Sequence, residues 1–136
     1  MKLQKFFSTL IVTVAIFGLS SSIYAQDATK PVASMTWKST TIDLGQIEQG
    51  KPVTVEFEFT NPSMVPLIIS SVRPNCGCTV ADYPKEPIAP GKSGKIVVTY
   101  NAATSGAFTK STMVNSNAAD GQTSLIIKGE VIARKK

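Results

Sequence analysis

Apolar and polar residues alternate most regularly between Val53 and Thr60, where valines and phenylalanines take one set of positions and threonines and glutamates the other. Successive side chains of a β-strand point to opposite faces, so this run predicts a strand with one face against a core. Glu56 and Glu58 stand two residues apart on the polar face. The alternation explains them as a solvated strand face, which we favour over a carboxylate pair for acid–base catalysis.

Shorter runs of the same period recur along the chain and are separated by Gly, Pro and Asn residues typical of turns. The predicted strands are Thr36–Leu44 with a break near Ser39, Val53–Thr60, Pro66–Val72, Lys95–Tyr100, Ala107–Val114 and Gln122–Ile132, with a short additional strand at Cys78–Asp82. No run predicts a helix longer than one turn. About seven short strands at this spacing predict an all-β, immunoglobulin-like β-sandwich, whose strand order the periodicity does not give. We expect Trp37, the only tryptophan, to cover one end of the core.

The N-terminus has the pattern of a cleavable signal peptide. Lys2 and Lys5 precede the apolar segment 6–19, and small and polar residues then lead to Ala25. The apolar segment is shorter than the span of about 20 residues that a membrane helix needs. We therefore predict a signal peptide at 1–25, a linker at 26–34, the sandwich domain at 35–133 and a basic tail at 134–136. The mature protein is expected in the periplasm or secreted, with no membrane span after cleavage.

Charge and composition exclude several classes of function. The net charge is +5, but two of the lysines lie in the predicted signal peptide and three basic residues form the tail. A nucleic-acid-binding protein would carry a basic face or stripe, which is not found here. The chain has no histidine, which removes the Ser-His-Asp and Cys-His catalytic arrangements and the commonest metal ligand. We expect a non-enzymatic protein without a cofactor.

The two cysteines of the chain, Cys76 and Cys78, are separated only by Gly77. In an extended strand residues i and i+2 lie about 6.6 Å apart, near the upper limit for a disulfide. Closing the bond therefore requires a bend, which Gly77 permits because it lacks a Cβ atom. A three-residue loop would gain roughly 1.6 kcal/mol from the bond, so global stability is a poor reason for the pair.

Four interpretations of this pair remain open. Export to an oxidising compartment favours a disulfide that staples the turn. The alternatives are a redox-active dithiol, a Cu(I) site formed by both thiolates with or without Met64, and two buried thiols that only pack. The other candidate residues of the site loop are Arg73, Asn75, Gly77 and Thr79. Arg73 could lower the pKa of a neighbouring thiol, but no helix follows Cys78, which counts against a redox enzyme.

Several short motifs occur in a recognisable order across residues 35–133. They include Asp43-Leu44-Gly45-Gln46-Ile47, Phe57-Glu58-Phe59-Thr60-Asn61, Cys76-Gly77-Cys78-Thr79, Ala89-Pro90-Gly91 and Ile126-Ile127-Lys128-Gly129. This order resembles the exported bacterial DUF1573 family, with Asp43-Leu44-Gly45 where the family usually reads Asp-Phe-Gly. The resemblance implies an immunoglobulin-like sandwich similar to domains of major sperm protein, of cilia and spindle proteins and of pilus chaperones, most of which bind partners. It implies no established activity.

From this resemblance and the lack of a catalytic constellation, we predict an adaptor domain that binds another envelope protein through a strand edge or a loop end. A thiol–disulfide redox protein and a Cu(I)-binding protein, both acting through Cys76 and Cys78, are the alternatives. The sequence does not identify the partner or the oligomeric state.

Overall fold

The computed structural model describes residues 30–135, which form two four-stranded β-sheets packed face to face. The strands are β1 (Thr36–Trp37), β2 (Thr41–Glu48), β3 (Val53–Thr60), β4 (Ile69–Pro74), β5 (Thr79–Asp82), β6 (Ser93–Tyr100), β7 (Gly106–Ser116) and β8 (Gln122–Ile132). The first sheet has the order β1-β3-β6-β5 and the second β2-β8-β7-β4. This confirms the predicted all-β sandwich. The predicted signal peptide at 1–25 lies outside the described residues.

No helix is found between residues 30 and 135, so this part of the chain offers none that could cross a membrane. Ala33, which falls in the predicted linker, is buried and forms an isolated bridge with Ala118. The packing against the domain therefore begins two residues before Met35.

The predicted strand Thr36–Leu44 is two strands that belong to different sheets. β1 pairs antiparallel with β3, whereas β2 pairs in parallel with β8 and continues to Glu48. The chain crosses between the sheets at Ser39, whose hydroxyl donates to the Thr41 carbonyl at 2.7 Å. The predicted break was correctly placed. The division at this break raises the number of strands from about seven to eight.

The start of β4 also differs from the prediction, which placed this strand at Pro66–Val72. Leu67 is fully buried and forms an isolated antiparallel bridge with Ile88, so the first apolar residues of that run do not belong to the strand. β4 begins at Ile69 and continues through Pro74.

The two faces of β3 are as the alternation predicted. Its two phenylalanines are buried in the core, and Trp37 packs on Phe59 with ring centroids 5.3 Å apart. On the exposed face, Lys95 Nζ lies 2.6 Å from Glu56 Oε1 and Lys38 Nζ lies 2.9 Å from Glu58 Oε2. The glutamates therefore pair with lysines on a solvated surface.

One end of the sandwich is organised by Asn61, which is buried although polar. Its Nδ2 donates to the carbonyl oxygens of Val65 at 2.8 Å and Ile88 at 2.9 Å. Its Oδ1 accepts from the Ser63 backbone N–H at 3.0 Å. Because buried polar groups are costly unless paired, these bonds fix the loop after β3 on the segment before β6.

The Asp43-Leu44-Gly45 motif forms a bulge in β2. The register against β8 shifts between Asp43 and Gln46, and Gly45 has a φ of 62°. The Gly45 N–H donates to Asp43 Oδ1 at 2.8 Å, which closes the bulge on itself. A Cβ atom on Gly129 of β8 would lie 2.6 Å from the Gly45 carbonyl oxygen, so the close approach requires a glycine there.

Candidate functional site

The Cys-Gly-Cys turn crosses from one sheet to the other. β4 of the second sheet ends at Pro74, and β5 of the first sheet begins at Thr79. At the start of the turn, the Asn75 N–H donates to the Ser111 carbonyl of β7 at 2.9 Å. At its end, the Cys78 carbonyl accepts from the Asn101 N–H at 3.0 Å. Backbone hydrogen bonds therefore anchor the two ends of the turn to different sheets.

Cys76 and Cys78 form a disulfide within this turn, and their Cα atoms are 5.3 Å apart. This is shorter than the separation of about 6.6 Å in an extended strand, which confirms the predicted bend. Both cysteines are half-buried, and their bonding excludes the interpretation of two free buried thiols. Gly77 is exposed, and apart from its neighbours Cys76 and Cys78 no residue has an atom within 4 Å of the position that a Cβ would take there. The outer side of the turn is therefore open.

Thr79 lies directly beneath the disulfide and is only 4% exposed. Its Oγ1 is 3.6 Å from Cys76 Sγ and 3.8 Å from Cys78 Sγ. Bonded sulfurs carry no hydrogen, so the threonine hydroxyl is the donor in either contact. Its backbone N–H donates to the Cys76 carbonyl at 3.4 Å and completes the turn.

The other predicted site residues are placed differently. Asn75 and Gly77 belong to the turn itself, as expected. Arg73 is exposed on β4, paired with Met113 of β7, and forms no ion pair within residues 30–135. Met64 is 87% exposed in the loop that Asn61 holds against the segment before β6. The loop that carries Met64 precedes β4, whereas the disulfide turn follows β4. Met64 and the cysteines are therefore separated by the length of this strand.

Sequence reasoning missed the neighbourhood of Cys78. Cys78 lines a cleft of about 320 Å³ together with Tyr100, Asn101, Phe108 and Lys110.

Next to Asn101, the buried Ala102 has a φ of 52°, a conformation that alanine adopts rarely. The Gly50 N–H donates to its carbonyl at 2.9 Å. No sequence signal marks an alanine in this conformation.

β5 forms one edge of the first sheet, and part of its backbone faces away from β6. The Asn101 N–H donates to the Cys78 carbonyl, and hydrogen-bonded residues alternate along an antiparallel pair. In the observed register, Val80 and Asp82 are therefore the residues of β5 that form hydrogen bonds with β6. The C=O groups of Thr79 and Ala81 and the N–H of Ala81 therefore point outward, while the Thr79 N–H donates to the Cys76 carbonyl. The Val80 side chain is 67% exposed beside them.

The other three sheet edges are interrupted or short. β1 has two residues, and β2 carries its bulge between Asp43 and Gln46. On β4, the Asn75 to Ser111 bond makes Val72 and Pro74 the outward positions, of which Pro74 has no N–H, and the register shifts between Ile69 and Ser71. β5 keeps an unbroken register with β6 over its whole length, so its edge is the best prepared for another strand.

Residues 35–131 match the family described as Protein of unknown function (DUF1573). The chain belongs to this family. The match covers the two sheets and the Cys-Gly-Cys turn, and it confirms the resemblance seen in the sequence motifs. No curated protein matches this sequence.

Solved structures of similar fold come from several kinds of protein. A protein of unknown function from Porphyromonas gingivalis is 20% identical with a TM-score of 0.66, and the match covers 74% of this chain and 48% of that one. The ASH/PapD-like domain of human CEP192 is 12% identical with a TM-score of 0.62, covering 78% and 90%. The YadV chaperone is 15% identical with a TM-score of 0.54, covering 76% and 54%.

The chain thus spans about half the length of the Porphyromonas protein. At these identities the likeness is one of fold, and it shows that the DUF1573 domain shares its β-sandwich fold with the ASH/PapD-like domain.

Proposed function

We propose that this DUF1573 protein is an exported, non-enzymatic adaptor of the bacterial envelope, which binds an extended segment of another envelope protein along the edge of β5. The observation that carries this proposal is the outward direction of the Thr79 carbonyl and of the Ala81 N–H and carbonyl. A peptide added to such an edge gains main-chain hydrogen bonds, and exposed side chains beside it give selectivity.

The surroundings of β5 suit this role. The exposed Val80 offers an apolar contact on the outer face of the strand, next to the exposed carboxylate of Asp82. Backbone hydrogen bonds at both ends of the preceding turn fix the point at which the strand begins. Likeness in fold to the YadV chaperone is compatible with a binding role. The signal-peptide pattern at 1–25 supports a periplasmic or secreted location.

Site-specific photo-crosslinking tests the proposal in living cells. A photoreactive amino acid replaces Val80 in the full chain, and the control replaces Met64, which is exposed in the loop on the other side of β4. We expect a discrete crosslinked product of higher mass from position 80 that is absent from position 64. Equal products from both positions, or none from position 80, would contradict binding along β5.

A proline at position 81 tests the role of the backbone. Ala81→Pro removes an N–H that faces outward, so no hydrogen bond to β6 is lost. Ala81→Ser keeps this N–H and serves as the control. We expect Ala81→Pro to abolish the crosslink from position 80 and Ala81→Ser to retain it, with melting temperatures measured for both. A folded Ala81→Pro variant that crosslinks fully would refute strand addition.

A further inference from the structure

We propose that the Cys76–Cys78 disulfide is a thiol–disulfide exchange site, opened by a dithiol protein or peptide whose thiolate attacks Cys76. This activity goes beyond the binding role and does not depend on it.

The fold does not need the disulfide to hold the turn. The Asn75 N–H is bonded to Ser111 in the second sheet, and the Cys78 carbonyl is bonded to Asn101 beside the first sheet. Both bonds are made by the backbone and neither involves a sulfur atom. The bond can therefore open and close without unfolding of β4 or β5, as a reversible exchange site requires.

Access favours attack on Cys76. Cys78 packs partly against the hydrophobic core, whereas Cys76 is half-buried outside that cluster. The open space at Gly77 leaves room for the chain of an attacking protein. A thiolate that attacks Cys76 in line with the S–S bond displaces the sulfur of Cys78.

Thr79 supplies the group that receives the displaced sulfur. Its buried hydroxyl lies 3.6 Å from Cys76 Sγ and 3.8 Å from Cys78 Sγ, and it is free to donate to Cys78 once that sulfur becomes the anion. A hydrogen bond to an anion is stronger than one to a neutral sulfur, so the hydroxyl stabilises Cys78 as a leaving thiolate. Thiolate leaving groups of lower pKa depart faster in thiol–disulfide exchange. The low solvent exposure of Thr79 strengthens this effect.

The exchange balances as two displacements. In the first, the partner's thiolate bonds to Cys76 Sγ, the bond between Cys76 and Cys78 breaks, and its electron pair stays on Cys78. In the second, the partner's other thiolate attacks its own sulfur in the mixed disulfide, and Cys76 leaves as a thiolate. The two protons of the partner's thiols pass to Cys76 and Cys78. The partner is oxidised by two electrons to its disulfide, and the cysteine pair is reduced.

Equilibration of the purified chain in glutathione redox buffers tests the site. Thiol alkylation followed by intact mass gives the fraction of reduced protein. Structural disulfides of exported proteins resist the glutathione pool, whereas exchange sites open in it. We expect the bond to open in excess reduced glutathione and to re-form in oxidised glutathione. A bond that stays closed in excess reduced glutathione would overturn the proposal.

A pair of variants tests the role of Thr79. Thr79→Val removes the hydroxyl and Thr79→Ser keeps it. We expect the disulfide to open about tenfold more slowly in Thr79→Val and at nearly the original rate in Thr79→Ser. A hydrogen bond to a charged group contributes at least the free energy of a tenfold change. Equal rates in both would remove Thr79 from the step. In a Cys76→Ser background, Thr79→Val should also raise the pKa of Cys78, read from the pH dependence of alkylation.

The attacked sulfur is identified by single-cysteine variants. Cys78→Ser leaves Cys76 free, and Cys76→Ser leaves Cys78 free. We expect the free Cys76 to react faster with oxidised glutathione at a pH where both are thiolates, because Cys78 packs on the core. A faster Cys78 would overturn the assignment of Cys76. None of these variants changes the crosslinking position 80, so failure of the exchange site and failure of the β5 edge give different results.

Discussion

Replacement of both cysteines by serine should cost little stability, because the disulfide closes a loop of only three residues. The chain-entropy relation gives roughly 1.6 kcal/mol for such a loop, below the usual range of about 2 to 4 kcal/mol for a disulfide. The backbone bonds of Asn75 and Cys78 do not involve sulfur, so we expect them to form in the Cys76→Ser/Cys78→Ser variant as well. For a domain of this size the loss corresponds to a fall in melting temperature of about 6 to 13 °C.

Urea unfolding followed by the fluorescence of Trp37 measures this loss. The oxidised protein, the same protein in a strong reductant and the double serine variant are compared. We expect the last two to coincide and the slope of free energy against urea to be the same in all three. Gly77→Ala in the oxidised protein is the control for disturbance of the turn, since open space surrounds this position, and its effect should stay within about 0.5 kcal/mol.

A loss above about 3 kcal/mol, or a changed urea slope, would refute this reasoning. Either result would mean that the disulfide restrains the wider fold and that the backbone bonds do not suffice to hold the turn. The same result would weaken the exchange proposal, because opening the bond would then unfold part of the domain.

Three further predictions concern the rest of the fold. Asn61→Ala removes two hydrogen bonds to part-buried carbonyl oxygens and the acceptor of the Ser63 N–H, and it should cost about 2 to 4 kcal/mol in urea unfolding. Asn117→Ala removes exposed bonds of the same kind and should cost below about 1 kcal/mol. Gly129→Ala should cost about 1 to 3 kcal/mol in the same assay, because its Cβ would lie 2.6 Å from a backbone oxygen of the β2 bulge; an unchanged stability would contradict this close approach. A hydrogen bond from Lys38 and the charge of Lys38 lower the pKa of Glu58. The pair therefore stabilises the fold at pH values above the ordinary carboxyl pKa, and this stabilisation is lost as the pH falls through the lowered pKa. Lys38→Met should return the pKa of Glu58, measured by NMR, toward its ordinary value.

The sequence predicted correctly those features that depend on neighbouring residues and missed those that depend on pairing between distant parts of the chain. β3 could be predicted closely because the alternation of its own residues decides which face is buried. The break between β1 and β2 could be predicted, but their assignment to different sheets could not, because both halves of the run alternate and their partner strands lie elsewhere in the chain. Thr36 pairs with Thr60, whereas Thr41 pairs with Ile126. Only these distant pairings assign the two halves to different sheets.

The same distinction holds at the site. The bend at Gly77 follows from the spacing of two cysteines, which is a local property, and the structure confirms it. The contact of Thr79 with both sulfurs depends on the closed turn and on burial by the two sheets, which the residue type does not reveal. The outward direction of the β5 backbone depends on the register with β6, and periodicity gives no register.

The two proposed activities meet at Thr79, and the structure predicts that they are independent. Its hydroxyl contacts the disulfide, while its carbonyl faces the open edge of β5. β5 is held by its register with β6 and by the Asn101 to Cys78 bond, neither of which involves sulfur. We therefore expect the crosslink from position 80 to form with the same yield in the Cys76→Ser/Cys78→Ser variant as in the oxidised protein. Loss of the crosslink in a variant that keeps its native melting curve would show that the disulfide orders the edge, and strand addition and redox state would then be coupled.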